Sequence, residues 1–200
     1  MTVEKYLDFL HLAEGLKNRT RHSVSSQGRE ESVAEHSWRL ALMAMLLGQE
    51  FPQLNMSRVV EMCLIHDLGE AVTGDIPAFV KTQENRRAER AVVADITRML
   101  PETERAYFQE LYREMEAMES GEAKLYKALD KCEALLQHNE APLSSWLALE
   151  YELQMVYGQE ECQAFPFTAA LRERLRQDSL EKIEREKPER LSRTQERGES

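Results

Sequence analysis

Cysteine is scarce in this chain of 200 residues: Cys63, Cys132 and Cys162 are the whole complement. Thiols so few and so scattered exclude a disulfide framework and a zinc site built from cysteine, and they point to a reduced, cytoplasmic protein. Uninterrupted apolar runs are also missing. The opening stretch MTVEKYLDFLHLAEGLK carries charges throughout, unlike the apolar centre of a signal peptide, and no window approaches a membrane span. A surplus of positive charge is absent too: 26 Lys and Arg against 36 Asp and Glu leave a formal net charge of −10. That balance excludes the basic stripe that neutralises a phosphate backbone, so a nucleic-acid polymer is not an expected partner. A single nucleotide is a different matter, because it needs only a local cluster of cations or a metal ion.

What the chain does have is helical periodicity and, at 42% hydrophobic content, enough apolar surface for one domain. Val3, Tyr6, Leu7, Leu10 and Ala13 form one apolar stripe, with Thr2 as its N-cap. A polar connection, NRTRHSVSSQGREES, leads to a second helix from about Ser32 to Glu50, whose ALMAMLL segment is apolar on every face and is expected at the centre of the protein. A third runs from about Asn55 to Gly69. Further helices are predicted at roughly 84–100, 102–119, 122–140, 144–157 and 167–185, separated by Pro101, Gly121, Pro142, Gly158 and Pro166. No strand pattern is evident, so the expected fold is all-α: a single helical bundle over residues 1–185. Residues 186–200 are charged and nearly free of apolar side chains, and read as a disordered tail.

Three polar intrusions interrupt the apolar helices. His36 opens the most apolar one, His66 and Asp67 end MCLIHDLGE with Glu70 one turn later, and Asp130 sits in AKLYKALDKCEALLQ. Each has an ordinary explanation: a backbone-bonded histidine, a helix cap, an Asp130 that pairs with Lys127. Together, His36, His66, Asp67 and Asp130 form a set of nitrogen and oxygen ligands for one divalent metal, drawn from three helices as bundle folds do. Adjacent helical residues point about 100° apart, so His66 and Asp67 can share an ion only where the helix loosens near Gly69. Two imidazoles and two carboxylates suit manganese, cobalt, iron, nickel or a magnesium-like ion with open positions better than a closed structural zinc.

The order His, HisAsp, Asp resembles the HD-domain metal-dependent phosphohydrolases. Within them, ESVAEHS, HDLGEAVTGDIP and AKLYKALDKCEALLQ are most similar to the 5′-deoxynucleotidases, over about residues 10–140. The resemblance implies one divalent metal ion (Mn, Co, Fe, Ni, Zn or Mg), a homodimer, and phosphate release from deoxyribonucleoside 5′-monophosphates. It also implies roles. His36, His66, Asp67 and Asp130 match the metal ligands, of which His36, Asp67 and Asp130 also face substrate. Glu70 matches the catalytic glutamate, and Asp75 the aspartate near the nucleoside, in a loop that continues through Ile76, Pro77 and Ala78. The family carries an arginine that orients the phosphate and then a tryptophan against the sugar. Ungapped counting from His36 puts Arg21 and His22 there, with Arg19 the alternative phosphate ligand, so this chain has no tryptophan where the family does. The competing readings are an HD-type hydrolase of another phosphomonoester or nucleotide, and a noncatalytic helical scaffold stabilised by its ion. A cyclic-dinucleotide hydrolase is disfavoured because the GYP-type motif and the extra histidines of a second metal are missing. Met43 and Met45 read as core, Trp38 and Trp146 as packing or subunit contacts, and His11 and His138 have no evident partners.

Overall fold

The periodicities of the sequence become helices along most of the chain. The computed structural model describes residues 1–77 and 79–196, the side chains of 187–196 excepted. Helices α1 (Val3–Ala13) and α2 (Gly15–Asn18) precede a hairpin of β1 (Thr20–Val24) and β2 (Glu30–Ser32), followed by α3 (Val33–Leu46), α4 (Met56–Ile65), α5 (Glu70–Thr73), α6 (Gln83–Arg98), α7 (Glu102–Ala117) and α8 (Gly121–Glu140). After a 3-10 turn at Leu143–Ser145 come α9 (Glu150–Val156), α10 (Gln159–Cys162) and α11 (Pro166–Glu196). The all-α expectation holds apart from the hairpin. Of the expected tail at 186–200, the side chains from 187 and the placement of 197–200 lie outside the described residues.

Helix α8 runs through the centre. Leu125, Leu129 and Cys132 are wholly buried on it, and Leu40 of α3 with Val59, Met62 and Cys63 of α4 close around the same core. Removing one such leucine to alanine typically costs about 2–5 kcal/mol. The metal-type residues therefore stand on, or directly follow, three helices of this core.

Three sequence expectations are corrected. The connection after α2 is an antiparallel hairpin, with a change of register between Thr20 and Val24. Its inward side chains are Ser23, Glu31 and Ser32, so it carries no alternating apolar signal; the turn closes through Gly28, at φ +77. Helix α3 is not central on every face: Trp38, Leu42 and Met45 open to solvent along one stripe, so Met45 is not core. In α1 the Val3–Tyr6–Leu7–Leu10 stripe faces outward, and Phe9, Leu12 and Ala13 make the packed face instead.

Ser32 sets the start of α3 and thus the position of His36 one turn later. Its hydroxyl accepts from the Glu35 N–H at 3.2 Å, and the Glu35 carboxylate accepts from the Ser32 N–H at 2.8 Å, a complete capping box. Ser32→Ala is expected to lower unfolding stability by about 1 kcal/mol, read from urea denaturation; an unchanged midpoint would show that the cap does not hold this helix.

Candidate active site

Helix α4 stops at Ile65, and His66 to Gly69 form a short turned connection before Glu70 begins α5. The backbone bonds tighten here to i→i+3 turns, Leu68 N–H to Ile65 O and Glu70 N–H to Asp67 O, and the neighbouring His66 and Asp67 side chains aim at one point. The Nε2 atoms of His36 and His66 face each other at 3.2 Å. Asp67 Oδ2 lies 3.0 Å from His66 Nε2 and 3.9 Å from His36 Nε2. The ligand atoms of His36, His66 and Asp67 fall within 4.8 Å of one another. Asp130 brings Oδ1 to 3.4 Å and 3.9 Å from the two imidazoles, while its Oδ2 accepts from Lys127 at 2.9 Å. The ordinary ion pair and the inward-facing oxygen therefore coexist in one carboxylate.

Both imidazoles are oriented from behind. His66 Nδ1 donates to the Cys63 carbonyl at 2.9 Å, and His36 Nδ1 bonds Glu133 Oε2. With each Nδ1 so engaged, the neutral rings present Nε2 lone pairs to the centre, the arrangement of metal-binding histidines. Two lone pairs at this separation repel unless a cation lies between them. Among this chain's own groups a proton can serve: burial and Arg21 oppose it, but Glu133 and Asp130 raise His36 to about 9. A divalent ion satisfies both rings and both carboxylates at once, so the donor set fits a metal of the harder kind.

Glu133, which the sequence reading overlooked, is wholly buried. It accepts from Arg39 Nε at 2.7 Å and Arg21 Nη1 at 3.1 Å, in addition to His36. Burial pushes its carboxyl toward the neutral form, yet His36 and the two guanidinium groups outweigh that and hold it at about 2. Its only sequence signal is its place three residues after Asp130, on the same side of α8. Arg21 also pairs with Glu31 at 3.1 Å, and these carboxylates keep it charged against its own burial.

These groups lie on a cavity of about 360 Å³, within the range of small-molecule sites. Arg21, His22, His36, His66, Asp67, Glu70, Asp75, Ile76, Pro77 and Asp130 all line it. Arg19 does not: it is exposed, and its Nε donates to the Ala71 carbonyl at 3.3 Å. Ala78 lies outside the described residues. Glu70 is buried, with Lys81 Nζ 3.6 Å from Oε1 and no hydrogen-bond partner for Oε2 among the described residues. Burial, then Asp67 and Asp75, push its carboxyl up to about 9 against the pull of Lys81. Asp75 is raised as well, chiefly by burial. Asp67 and Asp130 go the other way: burial works against their ionisation, but His66 and Lys127 respectively hold them well below the usual carboxylate range.

The sequence reading also left out part of the wall. His138, given no partner, donates or accepts through both ring nitrogens, to Glu150 Oε1 at 2.8 Å and to the Ser23 hydroxyl at 3.2 Å. His22 reaches the same Glu150 oxygen at 3.0 Å. Lys131 lines the cavity and donates to the Tyr157 hydroxyl at 2.9 Å. Nothing in the local sequence announces that α8 and α9 meet there.

Helices converging an imidazole pair and a carboxylate pair on one cavity define a metal-dependent hydrolase type of site. The HD domain family model matches residues 13–167, and the chain belongs to that family. It is similar to the human 5′-deoxynucleotidase HDDC2, at 41% identity over 138 residues, which is 67% of this chain and 67% of the relative. The Schizosaccharomyces pombe 5′-deoxynucleotidase hdd1 is 31% identical over 137 residues, covering 64% of this chain and 68% of that one. Among solved structures, a predicted metal-dependent phosphohydrolase from Magnetospirillum magnetotacticum superposes with a TM-score of 0.76 at 26% identity, over 90% of this chain and 96% of that one.

If Glu133 orients His36, Glu133→Gln should weaken manganese binding roughly 10–100-fold, read by titration calorimetry, because the ring loses the carboxylate that fixes its tautomer. Equal affinity in the variant would remove Glu133 from the account. Adding manganese to metal-free protein should raise the melting temperature, and excess chelator should reverse the change; a melting curve indifferent to both would mean no ion is held by the fold.

Proposed function

We propose that this chain is a 5′-deoxynucleotidase, which cleaves the phosphate from deoxyribonucleoside 5′-monophosphates. The observation that carries the reading is the pair of Nε2 atoms facing each other at 3.2 Å beside Asp67 and Asp130, with the buried Glu70 carboxyl, its Oε2 without a hydrogen-bond partner among the described residues, on the same cavity. His36, His66, Asp67 and Asp130 would hold one divalent ion. When bound, such an ion supplies Lewis-acid polarisation and makes water more acidic near neutral pH. Manganese and cobalt are the ions favoured, since harder nitrogen and oxygen donors with open positions suit them.

The chain's own groups supply the rest. Hydrolysis forms one bond from a water oxygen to phosphorus, breaks the bond to the 5′ oxygen, and requires a proton to move from the water to that oxygen. Glu70 is the proton carrier in this reading: it is buried, it lines the cavity, and one of its oxygens is uncommitted. Arg21 orients the phosphate. Its guanidinium is braced by Glu31 and Glu133, which limits its motion and leaves the remaining N–H groups for the ligand. Lys131 adds a cation on the same wall, one that the sequence reading did not assign. Asp75, Ile76 and Pro77 face the nucleoside.

The reading further takes residues 1–185 as one HD domain, the protein as cytoplasmic, and the active form as a homodimer. The three free cysteines suit a reducing compartment, to be checked by cell fractionation. No helix among the described residues is long and apolar enough to cross a membrane. The open stripe of Trp38, Leu42 and Met45 supports self-association; a monomer mass in light scattering would count against it.

Glu70→Gln should lower phosphate release about 10²–10⁴-fold while leaving bound metal and melting temperature near wild type. Asp67→Ala should lose both metal and activity. The assay is phosphate release from a panel of deoxy- and ribonucleoside mono- and triphosphates with several divalent ions. Failure of every nucleotide in that panel, or full activity in Glu70→Gln, would end the proposal.

A further inference from the structure

The cavity has a second polar end that the reaction does not use. His138 lies eight residues beyond Asp130 on α8, which is about 12 Å along the helix axis. There His22 and His138 converge on one oxygen of Glu150, and the other oxygen of Glu150 accepts the Leu147 N–H at 2.6 Å. Glu150 is therefore fully engaged as a bracket for the two rings. Burial resists its ionisation, but His138 and the Leu147 N–H keep it below the usual carboxylate range.

Helix α9 runs back beside α8 until Tyr157 meets Lys131, and one turn along it from Glu150 stands Gln154. It is only 3% exposed, it lines the same cavity, and its Oε1 has no hydrogen-bond partner among the described residues. Its position is fixed from the other side: Arg172 of α11 donates to the carbonyls of Gln154, Met155 and Tyr157 at 3.4, 2.5 and 3.2 Å, closing the C-terminal end of the helix. A buried amide left unpaired is destabilising, so a fold that pins one in place on a cavity wall has the form of a waiting ligand contact. The carboxamide offers a donor and an acceptor side by side. A base edge presents a donor and an acceptor on neighbouring atoms in the same way, whereas a sugar hydroxyl meets the carboxamide through a single atom.

From this we infer that Gln154, with His22 and His138 held by Glu150, forms a nucleobase-reading subsite along the wall where α9 runs back beside α8, between the levels of His138 and Lys131. The inference rests on the nucleotidase reading for the orientation of the ligand, phosphate toward Asp130 and base toward Gln154. It assigns to α9 a recognition role outside the stretch from which the family resemblance was drawn.

The test uses the full chain and separates the subsite from the reaction. Gln154→Leu replaces an unpaired amide with an apolar group of similar size, so it should fold and melt at or above the wild-type temperature. Binding of the four 2′-deoxynucleosides and of 2-deoxyribose is measured by saturation-transfer NMR titration, which needs neither metal nor turnover. The expected result is a five- to tenfold fall in deoxynucleoside affinity relative to 2-deoxyribose. Gln154→Glu keeps the acceptor and loses the donor, so it should shift preference toward guanine, whose edge carries two adjacent donor groups. Unchanged affinity ratios in both variants, or no deoxynucleoside binding to wild type, would overturn the subsite. Phosphate release from deoxynucleoside monophosphates is followed in parallel with wild-type protein. Release without a Gln154 effect sinks the subsite and spares the nucleotidase reading; a Gln154 effect without release does the reverse.

Discussion

The ionised carboxylate of Glu133, sealed from water in the middle of α8, is the constraint on which the site depends. Removing such a charge from water costs several kcal/mol, and leaving it without a partner would cost more than most domains have in reserve. It is stabilised only if His36, Arg21 and Arg39 all reach it. Those three residues come from α3 and β1, so the charge forces the hairpin and two core helices into one arrangement. The same contacts fix the tautomer of His36 and hold Arg21 at the edge of the cavity. A structural requirement and a functional one are met by the same atoms.

The charges on the cavity wall show why a cation comes before an anion. Lys127 is paired with Asp130, Lys81 with Glu89 and Glu70, and Arg21 with Glu31 and Glu133. A phosphate entering past Asp67, Glu70, Asp75 and Asp130 would meet repulsion that these committed cations do not fully offset. A divalent ion between the imidazoles reverses that field. Burial first, and this crowding second, displace Glu70 and Asp75 upward, since protonation removes charge that Lys81, shared with Glu89, does not fully neutralise.

The parts of this design that were legible in the sequence are those where polarity contradicts local pattern. His36, His66 with Asp67, and Asp130 each interrupt an apolar helix, and a buried ionisable group needs a reason. The hairpin was not legible, because its inward residues are Ser23, Glu31 and Ser32, and a strand that buries polar atoms has no apolar alternation to display. Glu133 was hidden by its company, one carboxylate among many in a chain with 36 of them; its burial is a tertiary fact. The outward face of α3 misled in the opposite sense. An apolar stripe reads as core whether or not another surface covers it, and Met45 and Leu46 stand uncovered in the single chain. His138 and Glu150 stand on either side of a turn, and only its path brings them face to face.

The break between α4 and α5 completes the argument, because it converts a sequence dipeptide into a site. In an unbroken helix His66 and Asp67 would diverge. After Ile65 the turns tighten: the Leu68 N–H donates to Ile65 O at 3.0 Å and the Glu70 N–H to Asp67 O at 2.9 Å. This junction is backed by α2. A Cβ on Gly15 would come within 2.9 Å of the Ala71 carbonyl, so only glycine lets α2 lie this close to α5. On the far side, Gly74 at φ +76 closes α5 by donating to the Glu70 carbonyl at 2.9 Å and turns the chain toward Asp75 and Pro77. Two glycines far apart in sequence therefore position Glu70 between them, and the placement of the proton carrier is as much a property of the backbone as of its own side chain.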